Sequence, residues 1–85
     1  MNWELHLRNR AKKSLSRFPK KDQIYIAIGL RELATNPYSG DFKKISGEEN
    51  SWRRRIGAYR IFYEIIPQGK TIFVFRIERR TPKTY

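Results

Sequence analysis

Trp52-Arg53-Arg54-Arg55-Ile56-Gly57-Ala58-Tyr59-Arg60-Ile61-Phe62-Tyr63 and, eight residues on, Ile72-Phe73-Val74-Phe75-Arg76-Ile77-Glu78-Arg79-Arg80 decide the fold. Both stretches are rich in β-branched and aromatic residues and are joined by turn-forming sequence, which makes them a strand meander. Loop length fixes which residues face each other in a hairpin. A two-residue Gly57-Ala58 turn sets Ile56 against Tyr59, Arg55 against Arg60, Arg53 against Phe62 and Trp52 against Tyr63. In Ile66-Pro67-Gln68-Gly69-Lys70 the proline suits a type I turn, and Gly69 suits the left-handed position after it. Closing that loop with an Ile66–Lys70 pair predicts Glu64 opposite Ile72, Phe62 opposite Val74 and Arg60 opposite Arg76. The other face then pairs Tyr63 with Phe73, Ile61 with Phe75 and Tyr59 with Ile77.

Period-two alternation therefore sorts the side chains. One face carries Trp52, Ile56, Tyr59, Ile61, Tyr63, Phe73, Phe75 and Ile77. The other gathers Arg53, Arg55, Arg60 and Arg76, with Arg80 joining if the last strand keeps its period. Like charges directly opposite one another destabilise a sheet, and only Glu64 and Glu78 lie nearby to offset them. Such a face asks for an anion. Arg54 falls on the apolar side and is expected to snorkel at the sheet edge.

Upstream, Trp3, Leu5 and Leu7 alternate with Glu4, His6 and Arg8 as a first strand. Ala11, Leu15 and Phe18 recur at helical spacing, and Pro19 then separates this short helix from a second. The second helix is predicted to reach about Asn36, before Pro37, burying Ile26, Ala27, Leu30, Leu33 and Ala34. Phe42-Lys43-Lys44-Ile45 is a short strand candidate. No linker, repeat or low-complexity tract interrupts residues 1–85, so a single domain is expected. Its fold class is α+β, an antiparallel β-sheet packed on one face by an N-terminal helical hairpin, in the order strand-helix-helix-strand-strand-strand-strand.

Nineteen Lys and Arg against eight Asp and Glu give a net charge of +11 on 85 residues. A field of that size attracts nucleic acid or an acidic protein. There is no cysteine, which excludes a disulfide framework and a thiolate metal site. His6, the one histidine, has no ligand company and reads as structural. No phosphate-binding glycine loop, dinucleotide fingerprint or Ser-His-Asp set occurs, so neither cofactor nor metal is expected. No signal peptide or membrane-spanning stretch is visible, and a cytoplasmic location follows.

The residues from Phe42-Lys43-Lys44-Ile45-Ser46-Gly47 through Arg55-Ile56-Gly57-Ala58-Tyr59-Arg60 to Arg79-Arg80 and Tyr85 resemble the RelE/ParE toxins of type II toxin–antitoxin systems, RelE-like messenger-RNA interferases above all. The likeness spans nearly the whole chain. It implies a toxin that enters the ribosomal A site and cuts mRNA without a metal, through ribose 2′-hydroxyl attack, and that is held in check by a cognate antitoxin. It places the catalytic set on Arg53, Arg55, Arg60, Arg80 and Tyr85. Where RelE carries lysines, this chain has Arg53 and Arg55, and a guanidinium is not a usable base near neutrality. Tyr85 is then the better base, its phenol lowered by surrounding positive charge, with its own α-carboxylate in the same pocket; a frayed terminus is the competing reading.

Lys43, Lys44, Phe62 and Arg76 are the further RNA-contacting candidates. Phe62 is either a base-stacking platform or a space filler, Arg76 either a phosphate ligand or plain surface, and the two lysines a solvated edge brushing RNA. Two alternative functions stay open beside the ribonuclease: a ParE-like inhibitor of DNA gyrase, and a catalytically inactive RNA-binding relative.

Overall fold

The computed structural model describes residues 3–38, 42–45 and 51–79. Their order is β1 (Glu4–Leu7), α1 (Asn9–Arg17), α2 (Lys20–Thr35), β2 (Phe42–Lys44), β3 (Ser51–Ile56), β4 (Tyr59–Ile66), a 3₁₀ turn (Pro67–Gly69) and β5 (Thr71–Arg79). The strands form one sheet in the order β1-β5-β4-β3-β2. Pairing from β2 to β5 is antiparallel, and β1 adds to β5 in parallel, Glu4 beside Thr71 and Leu7 beside Val74. The α+β class and the element order agree with the sequence reading.

Pro19 separates the helices: Phe18 before it is extended, as a residue preceding proline prefers. The Pro19 carbonyl accepts from the Asp22 and Gln23 amides to start α2. Ala11, Ile26, Leu30 and Leu33 are buried against Ile56, Tyr59, Ile61, Tyr63, Ile65, Ile72, Val74 and Ile77 of the sheet, with Leu15, Phe18 and Trp52 packed beside them. Ala27, expected in the core, is exposed, and Gly29 takes the buried place on that stripe. A Cβ at position 29 would strike Ile56 Cδ1, so the missing side chain lets the helix approach the sheet.

The β3–β4 register is as predicted, from Trp52–Tyr63 to Arg55–Arg60 and Ile56–Tyr59. The β4–β5 register is not. The loop is one residue longer than expected, because Lys70 and not Gly69 adopts the left-handed conformation (φ 49°) and Ile66 pairs with Thr71. One residue of slip turns every side chain over: Ile72 meets Ile65 and Val74 meets Tyr63 in the core, while Phe73 meets Glu64 on the open face. A β-bulge then intervenes, and beyond it Phe62 pairs with Arg76, Ile61 with Ile77 and Arg60 with Glu78. Thus Phe73 and Phe75 are not core residues, and Ile72 and Val74 are. Arg76 and Ile77 keep their predicted faces only because slip and bulge cancel.

Two buried phenols anchor the layers. Tyr59 donates its hydroxyl to Asp22 Oδ2 of α2 at 2.6 Å, and Tyr63, wholly buried, donates to the Pro37 carbonyl at 3.3 Å. Burial pushes the Tyr63 phenol up to about 12, against a smaller opposing pull from Arg54. Burial, with the Asp22 hydrogen bond, also raises Tyr59. Above pH 10 the unfolded chain releases phenolic protons that the folded one still holds, so stability is whole below pH 10 and declines as pH climbs from about 10 toward 12. Tyr63 alone is worth about 2–3 kcal/mol across that window. Urea midpoints at pH 9 and pH 11 should differ by about half of that, since pH 11 lies midway through the window, and Tyr63→Phe should remove most of the difference.

Arg54 alternates onto the helix side as expected, yet does not snorkel. It is 7% exposed, with Nη2 3.0 Å from Glu32 Oε1 of α2 and Nη1 buried without a partner among the described residues.

Candidate nucleic-acid interface

The sheet face away from the helices carries two adjoining basins. The first, about 140 Å³, is lined by Lys43, Arg53, Arg55 and Arg60. Strand pairing brings them together. Lys43 lies across from Arg53, and Arg55 lies across from Arg60. Arg53 and Arg55 are two residues apart, hence on one face and about 6.6 Å from each other along β3. Among the described residues, no carboxylate approaches Lys43, Arg53 or Arg55 within 4 Å.

Arg60 is different, because Glu78 stands opposite it and its Nη1 is 3.8 Å from Glu78 Oε1. The stronger claim on Glu78 comes from Arg76, whose Nη2 is 2.6 Å from Oε2. The expected Arg60–Arg76 opposition is thereby replaced by an acid between two bases. The cationic face survives on β2 and β3 and is partly neutralised on β5. Planar guanidinium forks clustered this way match a phosphodiester's two free oxygens, and binding one would offset the mutual repulsion of Arg55 and Arg60.

Of the other candidates, Lys44 pairs with Trp52 and so lies on the helix side, away from the basin. Phe62 and Arg76 are on the open face, with the Arg76 guanidinium 5.3 Å from the Phe62 ring centre. They belong to the second basin, about 510 Å³, which Phe75, Glu64 and Arg8 also line. Phe75, Glu64 and Arg8 were not among the expected site residues. Arg80 and Tyr85 lie outside the described residues.

The turn that carries Arg55 and Arg60 is clamped by α2. Gly57 takes a positive φ of 59° while Ala58 does not, the requirement of a type II′ hairpin turn. Tyr25 covers it so closely that a Cβ at Gly57 would lie 2.7 Å from Tyr25 Cε2. Tyr59, just past the turn, is tied to Asp22 of the same helix. Gly57→Ala should therefore cost left-handed strain of about 1–2 kcal/mol plus displacement of the Tyr25 ring. A melting temperature lower by roughly 5–10 °C in a thermal scan is the expected reading.

A family model described as ParE toxin of type II toxin-antitoxin system, parDE, matches residues 5–82. Among solved structures, the chain is similar to the archaeal RelE-RelB complex from Pyrococcus horikoshii OT3 (22% identity, TM-score 0.82, covering 98% of this chain and 100% of that one). It is similar also to the toxin-antitoxin complex RelBE2 from Mycobacterium tuberculosis (20%, 0.84, 94% and 100%). A third is the RelB-RelE antitoxin-toxin complex from Methanococcus jannaschii (29%, 0.61, 87% and 88%). The first two likenesses speak for the fold alone.

Proposed function

Because the chain belongs to the family of ParE toxins of type II toxin–antitoxin systems, it is a toxin of that class, and we propose that it works as a ribosome-dependent endoribonuclease cutting mRNA in the A site. The observation that carries the reading is the basin of Lys43, Arg53, Arg55 and Arg60 on an open sheet face. A phosphodiester seated there is attacked by the neighbouring ribose 2′-oxygen. The new P–O2′ bond forms as the P–O5′ bond breaks, leaving a 2′,3′-cyclic phosphate and a 5′-hydroxyl. The guanidiniums hold the phosphate and balance the charge that grows on its oxygens. They do not move protons. Removing the 2′-hydroxyl proton falls to Tyr85, with Arg80 joining the phosphate cluster, and solvent water on the open face supplies the proton that the departing 5′-oxygen takes up.

The partner is a cognate antitoxin with an acidic or amphipathic segment. The net charge of +11 supplies the attraction, and Ile24, Tyr25 and Ile28, each half or more exposed on α2, give an apolar strip for the amphipathic side. The toxin works in the cytoplasm, where ribosomes are; no helix among the described residues is long and apolar enough to cross a membrane.

Induced expression followed by primer extension on cellular mRNA tests the reading. Codon-phased cuts are expected. DNA damage without cuts would replace it by gyrase poisoning, the second reading, which the match to a ParE model favours. Neither cuts nor DNA damage would leave a catalytically inactive RNA-binding relative.

A further inference from the structure

The second basin differs chemically from the first. Along β4, Arg60, Phe62 and Glu64 occupy alternate positions of the open face, so the surface passes from cation to aromatic ring to carboxylate over about 13 Å. Phe75 stands beside Phe62, ring centres 6.3 Å apart, because the bulge in β5 turns Phe75 and Arg76 toward the same side. Glu64 lies at the far end of this pair, with Arg8 Nη2 3.8 Å from its Oε1. The two cations lining this basin are already paired, Arg8 with Glu64 at 3.8 Å and Arg76 with Glu78 at 2.6 Å, so the Glu64 carboxylate and the two half-exposed phenyl rings set its character, and neither attracts a phosphate. Both suit a base.

We propose that the Phe62–Phe75 basin is a nucleobase subsite beside the phosphate basin, with Glu64 selecting guanine. The inference rests on the RNA reading given above and specifies the nucleotide. A base stacks on the phenyl rings, as single-stranded RNA does on aromatic platforms. Its Watson–Crick edge then meets the Glu64 carboxylate, which offers two acceptors and no donor. Guanine presents two adjacent donors on that edge, N1–H and the N2 amino group. Adenine and cytosine each set one amino donor beside an acceptor nitrogen, and uracil sets its single N–H between two carbonyls. Only guanine meets both oxygens without placing a lone pair against a carboxylate.

Fluorescence anisotropy with the intact protein and the tetraribonucleotides UUUU, UGUU, UAUU and UCUU tests this. UGUU should bind at least about fivefold more tightly than the other three, the low end for a bidentate contact. Glu64→Gln should bring the four within twofold of one another, and Phe75→Ala should weaken UGUU toward the others. Arg53→Ala should weaken all four alike. Equal binding of the four by the unaltered protein, or a guanine preference that survives Glu64→Gln, overturns the subsite. If the four bind equally yet weaken together in Arg53→Ala, the phosphate reading stands and only the base subsite fails. If none binds, the base subsite falls, and the phosphate reading is decided by the primer extension on cellular mRNA. Were Glu64 merely a partner for Arg8, Glu64→Gln would lower the melting temperature and leave the guanine preference as it was.

Discussion

Arg60→Ala should abolish toxicity on induction while leaving the circular dichroism spectrum unchanged, and Arg53→Ala together with Arg55→Ala should do the same. None of these side chains enters the core: Arg55 is exposed, and Arg53 and Arg60 are half-buried on the open face. Removing them even relieves the repulsion between facing guanidiniums. What they lose is function, since each fixed cationic donor aimed at a developing oxyanion is commonly worth about 10²–10³ in rate. Full growth arrest by Arg60→Ala would contradict the assignment. RNA affinity gives an independent check, because every phosphate-contacting cation removed should flatten its logarithmic dependence on salt by about one unit.

Tyr63→Ala should fail in the opposite way, by unfolding. Tyr63 is fully buried between α2 and the sheet, and deleting so large an aromatic costs about 3–5 kcal/mol. A domain of this size holds on the order of 4–13 kcal/mol in total. The expected melting temperature falls by more than about 12 °C. Phe75→Ala is the informative contrast. By alternation alone Phe75 belongs in the core and its loss should be equally damaging. On the open face against Phe62, its removal should cost only about 1 kcal/mol and leave a cooperative melt. A collapse of Phe75→Ala comparable to Tyr63→Ala would mean that the bulge is misplaced.

These two residues mark where the sequence could be read and where it could not. The β3–β4 hairpin was legible because its turn is two residues long and Gly57 supplies the positive φ, so the register had a single solution. The helical hairpin was legible from Pro19 and the spacing of Ala11, Leu15, Ile26, Leu30 and Leu33. In β5 the run Ile72-Phe73-Val74-Phe75 is apolar throughout, and no alternation betrays which side is buried. There the register hung on the loop alone, and a lysine in the left-handed conformation is a choice that residue type disfavours. The same slip hid the pairing of Glu78 with Arg60 and Arg76 and the aromatic basin beside the arginines. A sequence signal existed in Ile65, buried on β4 while its neighbour Ile66 is exposed: an isoleucine on the core side needs an apolar partner across the strand pair, and Ile72 provides it. Alternation puts Arg54 on the helix side, but its ion pair with Glu32 depends on how α2 lies over β3, which local pattern does not encode.

The parallel edge has its own consequence. β1 leaves the ribosome before the other described elements, yet the strand it pairs with among the described residues is β5, with the Glu4 amide on the Lys70 carbonyl and the Arg8 amide on the Val74 carbonyl. A nascent chain that has not reached Val74 holds an unpaired leading strand and a β4 whose outer edge is bare. Closing so long a loop is entropically costly and slow. Vectorial synthesis therefore postpones completion of the sheet until β5 has emerged, and a chain released before then leaves β1 without a strand to pair with.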